Sequence, residues 1–268
     1  MKVLIFSGSH SRHLFINKTI LDHFQECAVV MMERENLQPS IPEGILSDID
    51  SNNFRRHFLD RYTLEKEEFG ELNPRDVFAD IPSFFCTPNT LNSYKTVEFV
   101  NKFSPDFVFI FGTDLIKGEL LNILPLHKIN LHLGLSPWYR GSATLFWPFY
   151  FLQPQFAGAT FHQIVPEADA GDIVHQTIPK LFEGDGIHDV GVRTVKMARE
   201  DLIKLLELYK SKRDFQLHSQ RISGRLFLTK QFHYSHLRVI YNLYNNNLVD
   251  SYLKGETTQS QPNLISAF

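Results

Sequence analysis

The feature that most limits what this chain can fold into is a rhythm of short, continuous apolar runs set between helix-length stretches. Residues 3–6, 27–32, 83–86 and 107–111 are each four to six residues long and apolar almost throughout. Runs of that length read as strands buried on both faces, as in a parallel sheet. Between the first two, Ile16, Ile20, Leu21 and Phe24 recur at helical spacing, and a second helix is expected over about 89–103. Strand and helix in alternation define an α/β fold class, here a mostly parallel, doubly wound sheet.

Between residues 33 and 81 the rhythm breaks. That stretch is polar, holds Pro39 and Pro42, and carries Phe54, Phe58 and Tyr62 at four-residue spacing among many charges. It reads as an insertion with one amphipathic helix. After residue 111 the pattern predicts a short helix over 115–124 and an alternating strand over 128–132. A helix over 142–152 and two strands near 157–165 and 172–179 come next, then one long helix over 187–209. The main domain is expected to end near residue 210. Residues 211–268 form a small C-terminal extension with a helical pattern over 235–253 and an aromatic content suited to a homodimer contact.

Composition removes several function classes. Of 268 residues, 43% are hydrophobic and 21% charged, ordinary values for a globular protein. Lys and Arg number 27 against 30 Asp and Glu, a net charge of −3, so there is no general attraction to phosphate backbones or anionic lipid. The C-terminal excess from Lys212, Arg213, Arg221, Arg225, Lys230 and Arg238 is small. A nucleic-acid partner is therefore not expected. No apolar run approaches the roughly 20 residues that span a bilayer, and the opening run is too short for a signal peptide; a cytoplasmic location is expected. Cys27 and Cys86 lack metal spacing and read as two buried thiols. The 12 histidines contain no His-Glu-x-x-His, and no metal site is expected.

Chemistry concentrates after the fifth expected strand. Within Ile-Asn-Leu-His, the alternation of a strand points Asn130 and His132 to one side. An amide donor beside a titratable imidazole suits a place where negative charge develops on oxygen; a structural asparagine with a satisfied histidine is the plainer reading. The stiff loop holding Gly134, Pro137, Arg140 and Gly141 follows at the carboxyl end of the strand, where open α/β sheets bind ligands. Some forty residues on, Asp169-Ala170-Gly171 forms a turn in which Gly171 is expected to supply a positive φ. Asp169 reads either as a turn former or as the carboxylate that orients His132 and relays a proton.

Taken together, Asn130-Leu131-His132, Pro137, Arg140-Gly141 and Asp169-Ala170-Gly171 resemble, in order and spacing, the formyltransferases that draw their one-carbon unit from 10-formyltetrahydrofolate. The likeness runs more loosely over residues 1–210. It implies a Rossmann-like formyltransferase fold and an N-formyltransferase with Asn130, His132 and Asp169 as the catalytic set. Asn130 and His132 would hold the oxyanion while Asp169 fixes His132 as an imidazolium and helps remove the amine proton. Residues 111–117 resemble the segment lining the folate pocket, which implies Gly112, Asp114, Leu115 and Ile116, with Val165 and Glu167, as folate-binding residues. Gly134 stands where many members have Ser and resembles the members that formylate nucleotide-linked amino sugars. Other readings under the same resemblance are a 10-formyltetrahydrofolate hydrolase, a methionyl-tRNA or glycinamide ribonucleotide formyltransferase, and a non-catalytic folate-binding protein.

The acceptor is thus expected to be a small-molecule amine carrying a phosphate or nucleotide. Ser9, His10, Ser11 and Arg12 lie between the first strand and its helix, where free N–H groups attract anions, and with Arg140 they are the expected acceptor-binding residues. The plainer reading is a helix cap by Ser9 or Ser11.

Overall fold

The computed structural model describes every residue except 35–38, 45–46 and 221–223, which leaves Arg221 outside the described residues. The chain opens with β1 (Lys2–Gly8), α1 (Ser11–His23), β2 (Glu26–Met32), α2 (Asp48–Phe69), the single turn α3 (Pro74–Val77) and β3 (Ser83–Cys86). It continues through α4 (Tyr94–Phe103), β4 (Phe107–Phe111), α5 (Gly118–Ile123), β5 (Lys128–His132), β6 (Tyr139–Gly141) and α6 (Trp147–Tyr150). The remaining elements are β7 (Ala159–Gln163), β8 (Ile173–Thr177), α7 (Ile187–Lys212), β9 (Arg225–Phe227) and α8 (Leu248–Leu253).

Seven strands form one sheet in the order β3-β2-β1-β4-β5-β7-β8. The pairings from β3 to β5 are parallel, and β7 and β8 add on antiparallel. The chain winds outward from β1 to β3 and returns to β4 on the other side of β1, so a crevice opens at the carboxyl ends of β1 and β4. Because side chains alternate along a strand, each central strand feeds two layers. Val3, Ile5, Val29, Phe107 and Phe109 pack against Leu14, Ile16 and Ile20 of α1 and against Val195, Leu202 and Leu206 of α7. Leu4, Phe6, Val30, Val108 and Ile110 pack on the opposite face against Val97 and Val100 of α4 and Leu120 of α5. This double burial is why the strands read as unbroken apolar runs.

Several expectations about local structure are corrected. The helix expected over 142–152 shrinks to α6, because Pro148 sits in its first turn and Ala143 (φ 55) and Leu152 (φ 58) turn the chain left-handed on either side. The pattern over 235–253 resolves into a 3-10 turn, a π turn (Val239–Leu243) and α8. In α2 the aromatic spacing marked the helix but not its inner face. Asp50, Asn53 and His57 are buried beside Phe54, whereas Tyr62 is 38% exposed. Polar groups are tolerated there because each finds a partner from residues 238–242. Arg238 forks onto Asp50 at 2.7 Å, Asn53 donates to Asn242 Oδ1 at 2.7 Å, and His57 Nδ1 lies 3.0 Å from the Tyr241 hydroxyl. Residues 238–242 therefore lie over α2, and Phe227, Leu237, Ile240, Leu248 and Val249 share a second apolar core with Phe146, Trp147, Phe149 and Val190.

Candidate active site

The antiparallel step from β5 to β7 sets Asn130 directly opposite His162, so their side chains stand together on one face. The Asn130 amide nitrogen lies 3.1 Å from His162 Nε2. His162 Nδ1 faces the Gln163 carbonyl at 2.7 Å and donates to it, which leaves Nε2 as the acceptor for Asn130. Beyond it stands Asp169, with Oδ1 3.4 Å from His162 Nε2 and Oδ2 3.4 Å from His132 Nδ1. The other nitrogen of His132 lies 2.9 Å from the Tyr139 carbonyl and donates to it. One carboxylate thus sits between the basic nitrogens of two imidazoles, with an amide at the end of the chain.

Local structure fixes Asp169 tightly. Its backbone is left-handed (φ 49), a conformation that Asp adopts more readily than most residues. The Gly141 N–H donates to its Oδ2 at 2.8 Å, and its carbonyl accepts from Gln220 at 3.0 Å and from Ser136 at 3.3 Å. Gln220 comes from the folded-back C-terminal segment. The positive φ expected at Gly171 is instead carried by Asp169; glycine is required at 171 because a Cβ there would overlap the Gln163 carbonyl. Gly134 likewise answers to packing, since a Cβ would meet His132 Nε2 at 2.5 Å and the Tyr139 carbonyl at 2.6 Å. What touches Gly134 is the imidazole's own support, so its presence follows from the placing of His132.

Burial works to raise the Asp169 pKa, but attraction to His132, the contact with His162 and the Gly141 N–H outweigh it and hold the carboxyl well below the usual range. For His132, burial is the largest influence and lowers the pKa below 6.5, while Asp169 and the Tyr139 carbonyl pull the other way. Burial of His132 thus works against the expected imidazolium, while Asp169 and the Tyr139 carbonyl favour it.

A cavity of about 210 Å³ opens beside this chain of groups. Asn130, His162 and Asp169 form one end, and Ile110, Ile116, Ile164 and Val165 supply apolar walls. Of the folate-binding residues expected from sequence, Asp114, Leu115, Ile116, Val165 and Glu167 line it. Gly112 does not; its φ of 85 and missing side chain make room for the buried ring of His13. Nor does His132, which is 7% exposed and stands behind Asp169. His162 takes the front position, and sequence reading missed it. The available signal was its place in the strand following the loop, two antiparallel partners along from His132.

The structure separates the expected acceptor residues. Neither Ser9 nor Ser11 caps α1: the N-cap is His10, with no side-chain cap, and Ser9 Oγ lies 3.5 Å from the Arg34 N–H. Arg12 donates from Nη1 to both carboxylate oxygens of Glu65 of α2, at 2.7 and 2.9 Å. Arg140 on β6 has a buried Nε without a hydrogen-bond partner among the described residues.

The formyl transferase family profile matches residues 60–206, more than half of the chain. The chain belongs to the formyl transferase family. The bifunctional polymyxin resistance protein ArnA of Wigglesworthia glossinidia brevipalpis is 30% identical over 116 residues, covering 43% of this chain and 17% of that protein. The match therefore spans only a small part of that curated relative. Among solved structures, a sugar N-formyltransferase from Shewanella sp. FDAARGOS_354 superposes with a TM-score of 0.57 at 19% identity, covering 90% of this chain and 87% of that one. Phosphoribosylglycinamide formyltransferase from Anaplasma phagocytophilum gives 0.55 at 16% identity, covering 85% and 98%. The formyltransferase PseJ from Anoxybacillus kamchatkensis, solved with UDP-4,6-dideoxy-4-formamido-L-AltNAc and tetrahydrofolate, gives 0.51 at 15% identity, covering 92% and 96%. These three share the fold.

The buried histidines make stability pH-dependent. His10, His13, His57, His132 and His188 all have pKa values lowered by burial from 6.5, His10 to about 2 and His188 to about 3. Below pH 6.5 the unfolded chain takes up protons that the folded chain refuses, so stability is full above that pH and falls as acid is added. Each such histidine contributes a slope of up to about 1.4 kcal/mol per pH unit. Urea midpoints should drop from pH 7.5 to 6 and more steeply from 6 to 5; equal midpoints at all three would contradict neutral burial of these rings.

Proposed function

We propose that the protein transfers a formyl group from 10-formyltetrahydrofolate to the amine of a small, nucleotide-linked amino sugar. The observation that carries this reading is the carboxylate set between two imidazoles with Asn130 at the cavity end. The amine attacks the formyl carbon, the charge that develops on the formyl oxygen is met by the Asn130 amide, and collapse of the adduct breaks the bond from that carbon to N10 of the folate, which leaves as tetrahydrofolate. Asp169 takes the amine proton and passes it to His132 Nδ1, and the same relay returns it to the departing N10. Protonation at His132 Nδ1 leaves a cation held between Asp169 and the Tyr139 carbonyl, which is why a neutral resting imidazole suits the task better than a charged one. In this reading Asn130 and His162 face the reacting atoms, and His132 acts through Asp169.

The cavity has the character that a reduced pterin requires: aliphatic walls for a flat bicycle and polar groups at one end. The sugar acceptor is supported by the likeness to the Shewanella sugar N-formyltransferase and to PseJ from Anoxybacillus kamchatkensis, the second of which was solved with a UDP-sugar and tetrahydrofolate. The test is a transfer assay on the full chain with 10-formyltetrahydrofolate and a panel of nucleotide-linked amino sugars, glycinamide ribonucleotide and no amine, read by mass spectrometry. Formylation of an amino-sugar nucleotide is the expected result. Formate release at the same rate without any amine, or formylation of glycinamide ribonucleotide alone, would overturn it.

Gln220 offers a milder check. Its amide clasps the carbonyls of Asp169 and Gly171 at 3.0 and 2.7 Å, from outside the cavity lining. Gln220→Ala removes two neutral hydrogen bonds worth about 1 kcal/mol each. A several-fold loss in kcat with KM for the folate unchanged is expected, and a selective rise in that KM would contradict a role in holding the turn.

A further inference from the structure

β8 ends the sheet, yet its outer edge is not bare. Ile173 exchanges backbone hydrogen bonds with His218 at 2.8 and 2.9 Å, and further along the strand the Gln176 N–H donates to the carbonyl of Ile265 at 2.8 Å. Chain from beyond α7 thus covers the edge at two places, as a strand edge requires. Residues 258–268 form no helix or strand, but side chains of the main domain hold them. The Gln155 amide donates to the carbonyls of Thr258 and Ser260 at 2.9 and 2.8 Å. The Ala267 N–H donates to His175 Nδ1 at 3.2 Å, and the Phe268 ring lies 4.4 Å from that of His175.

The Ile265 N–H takes a different partner, the side-chain Oε1 of Gln176 at 3.1 Å. That amide is buried, and its other end meets the loop after β5: Nε2 donates to the Ser136 carbonyl at 2.6 Å and lies 3.4 Å from Thr160 Oγ1. An amide gripped in this way has one orientation, because a flip would set its oxygen against a carbonyl and its NH2 against an N–H. Thr160 Oγ1 accepts from the Ser136 N–H at 3.0 Å and donates to the Gly134 carbonyl at 2.7 Å, so the 134–136 turn is tied to β7 and β8 together.

This turn supports both His132 and Asp169. Ser136 Oγ donates to the Asp169 carbonyl at 3.3 Å. The Leu135 carbonyl accepts from the Tyr139 N–H at 2.8 Å, and the Tyr139 carbonyl in turn takes the His132 nitrogen at 2.9 Å. Ser136 and Thr160 are buried, so a polar group released here finds no water to replace its partner. Gln176 therefore joins residue 265 to the supports of the imidazole and the carboxylate while lying outside the residues that line the cavity.

We propose that Gln176 is a positioning residue for formyl transfer, and that the segment 265–268, laid along the outer edge of β8, is the strap that holds its amide against the 134–136 turn. This rests on the proposed roles of His132 and Asp169. It makes the rate of the proton relay, and not the binding of folate, depend on a part of the chain that reaches neither substrate.

The experiment compares the full chain with two variants. Gln176→Glu keeps an acceptor for the Ile265 N–H but cannot donate to Ser136; Ile265→Pro removes that N–H and keeps the carbonyl that the Gln176 N–H reaches. The value of kcat should fall about tenfold in the first and about threefold in the second, with KM for 10-formyltetrahydrofolate unchanged. The imidazole C–H resonances of His132, assigned by their loss in His132→Gln, should move in both variants, while those of His57, in the second core, stay in place. Unchanged kcat in both variants, a loss carried by KM for the folate with kcat intact, or His132 resonances that are the same in all three proteins overturns the proposal. If Gln176→Glu fails to fold by circular dichroism, Ile265→Pro decides by the same readings. If the wild type transfers no formyl group to any acceptor, the formyl-transfer reading falls, and the His132 resonances alone decide whether Gln176 sets the place of that ring.

Discussion

Asn130→Ala is expected to lower kcat by about 100- to 1,000-fold, the usual consequence of removing one oxyanion donor from a preorganised site. Its amide is the group at the cavity end that can meet a developing negative charge without first changing protonation. The fold should survive. The side chain is only half-buried and its hydrogen bond to His162 is worth about 1 kcal/mol, so the melting temperature should fall by no more than a few degrees. Asp169→Asn should be at least as damaging, because an amide cannot hold a proton between two imidazoles. Since the groups act as a unit, the double variant should be little slower than the worse single one. Multiplicative losses in the double variant, or near-wild-type turnover in Asn130→Ala, would remove the proposed roles.

Gly171→Ala is the second large effect, and it acts through the backbone. The added methyl overlaps the carbonyl of Gln163, a neighbour fixed in β7, so either the strand or the turn must shift. Overpacking against backbone belongs at the upper end of the usual range, about 3 kcal/mol, or a fall of roughly 6–12 °C in melting temperature for a chain of this size. Because Asp169 precedes it by two residues and depends on the Gly141 N–H, activity should fall further than stability explains. A variant that melts like wild type would show that the turn relaxes freely. Parallel melting and single-turnover measurements separate the two effects.

The sheet was legible because its strands are buried on both sides, a condition that leaves no polar interruption in residues 3–6 or 107–111. The candidate site was partly legible for a related reason. Asn130 and Asp169 sit beside turns whose glycines and prolines mark them, whereas His162 lies inside a strand of ordinary composition, and only the pairing of β7 with β5 brings it to Asn130. The place of His132 was hidden because it depends on Tyr139, whose carbonyl takes up the nitrogen that would otherwise face the cavity. The inner face of α2 was marked only in part, by Phe54 and Phe58, for a physical reason too. Aromatic spacing registers apolar burial, but Asp50, Asn53 and His57 are buried by virtue of partners nearly two hundred residues away. Long-range polar pairing leaves no periodic trace.

Asn130 and His162 meet across a seam between two opposed strands, and such a seam has a two-residue grain: sliding it by one step would send one partner through the sheet to its other side. In the proposed mechanism, chemical competence is thus a readout of correct strand alignment. The exposed positions of the connecting chain from residue 133 to 158 can change without disturbing that alignment, provided its supports for His132 and Asp169 and its core residues Phe146, Trp147 and Phe149 are kept. The scaffold therefore permits new acceptors to be accommodated by remodelling the connections while the amide and the imidazole stay in step.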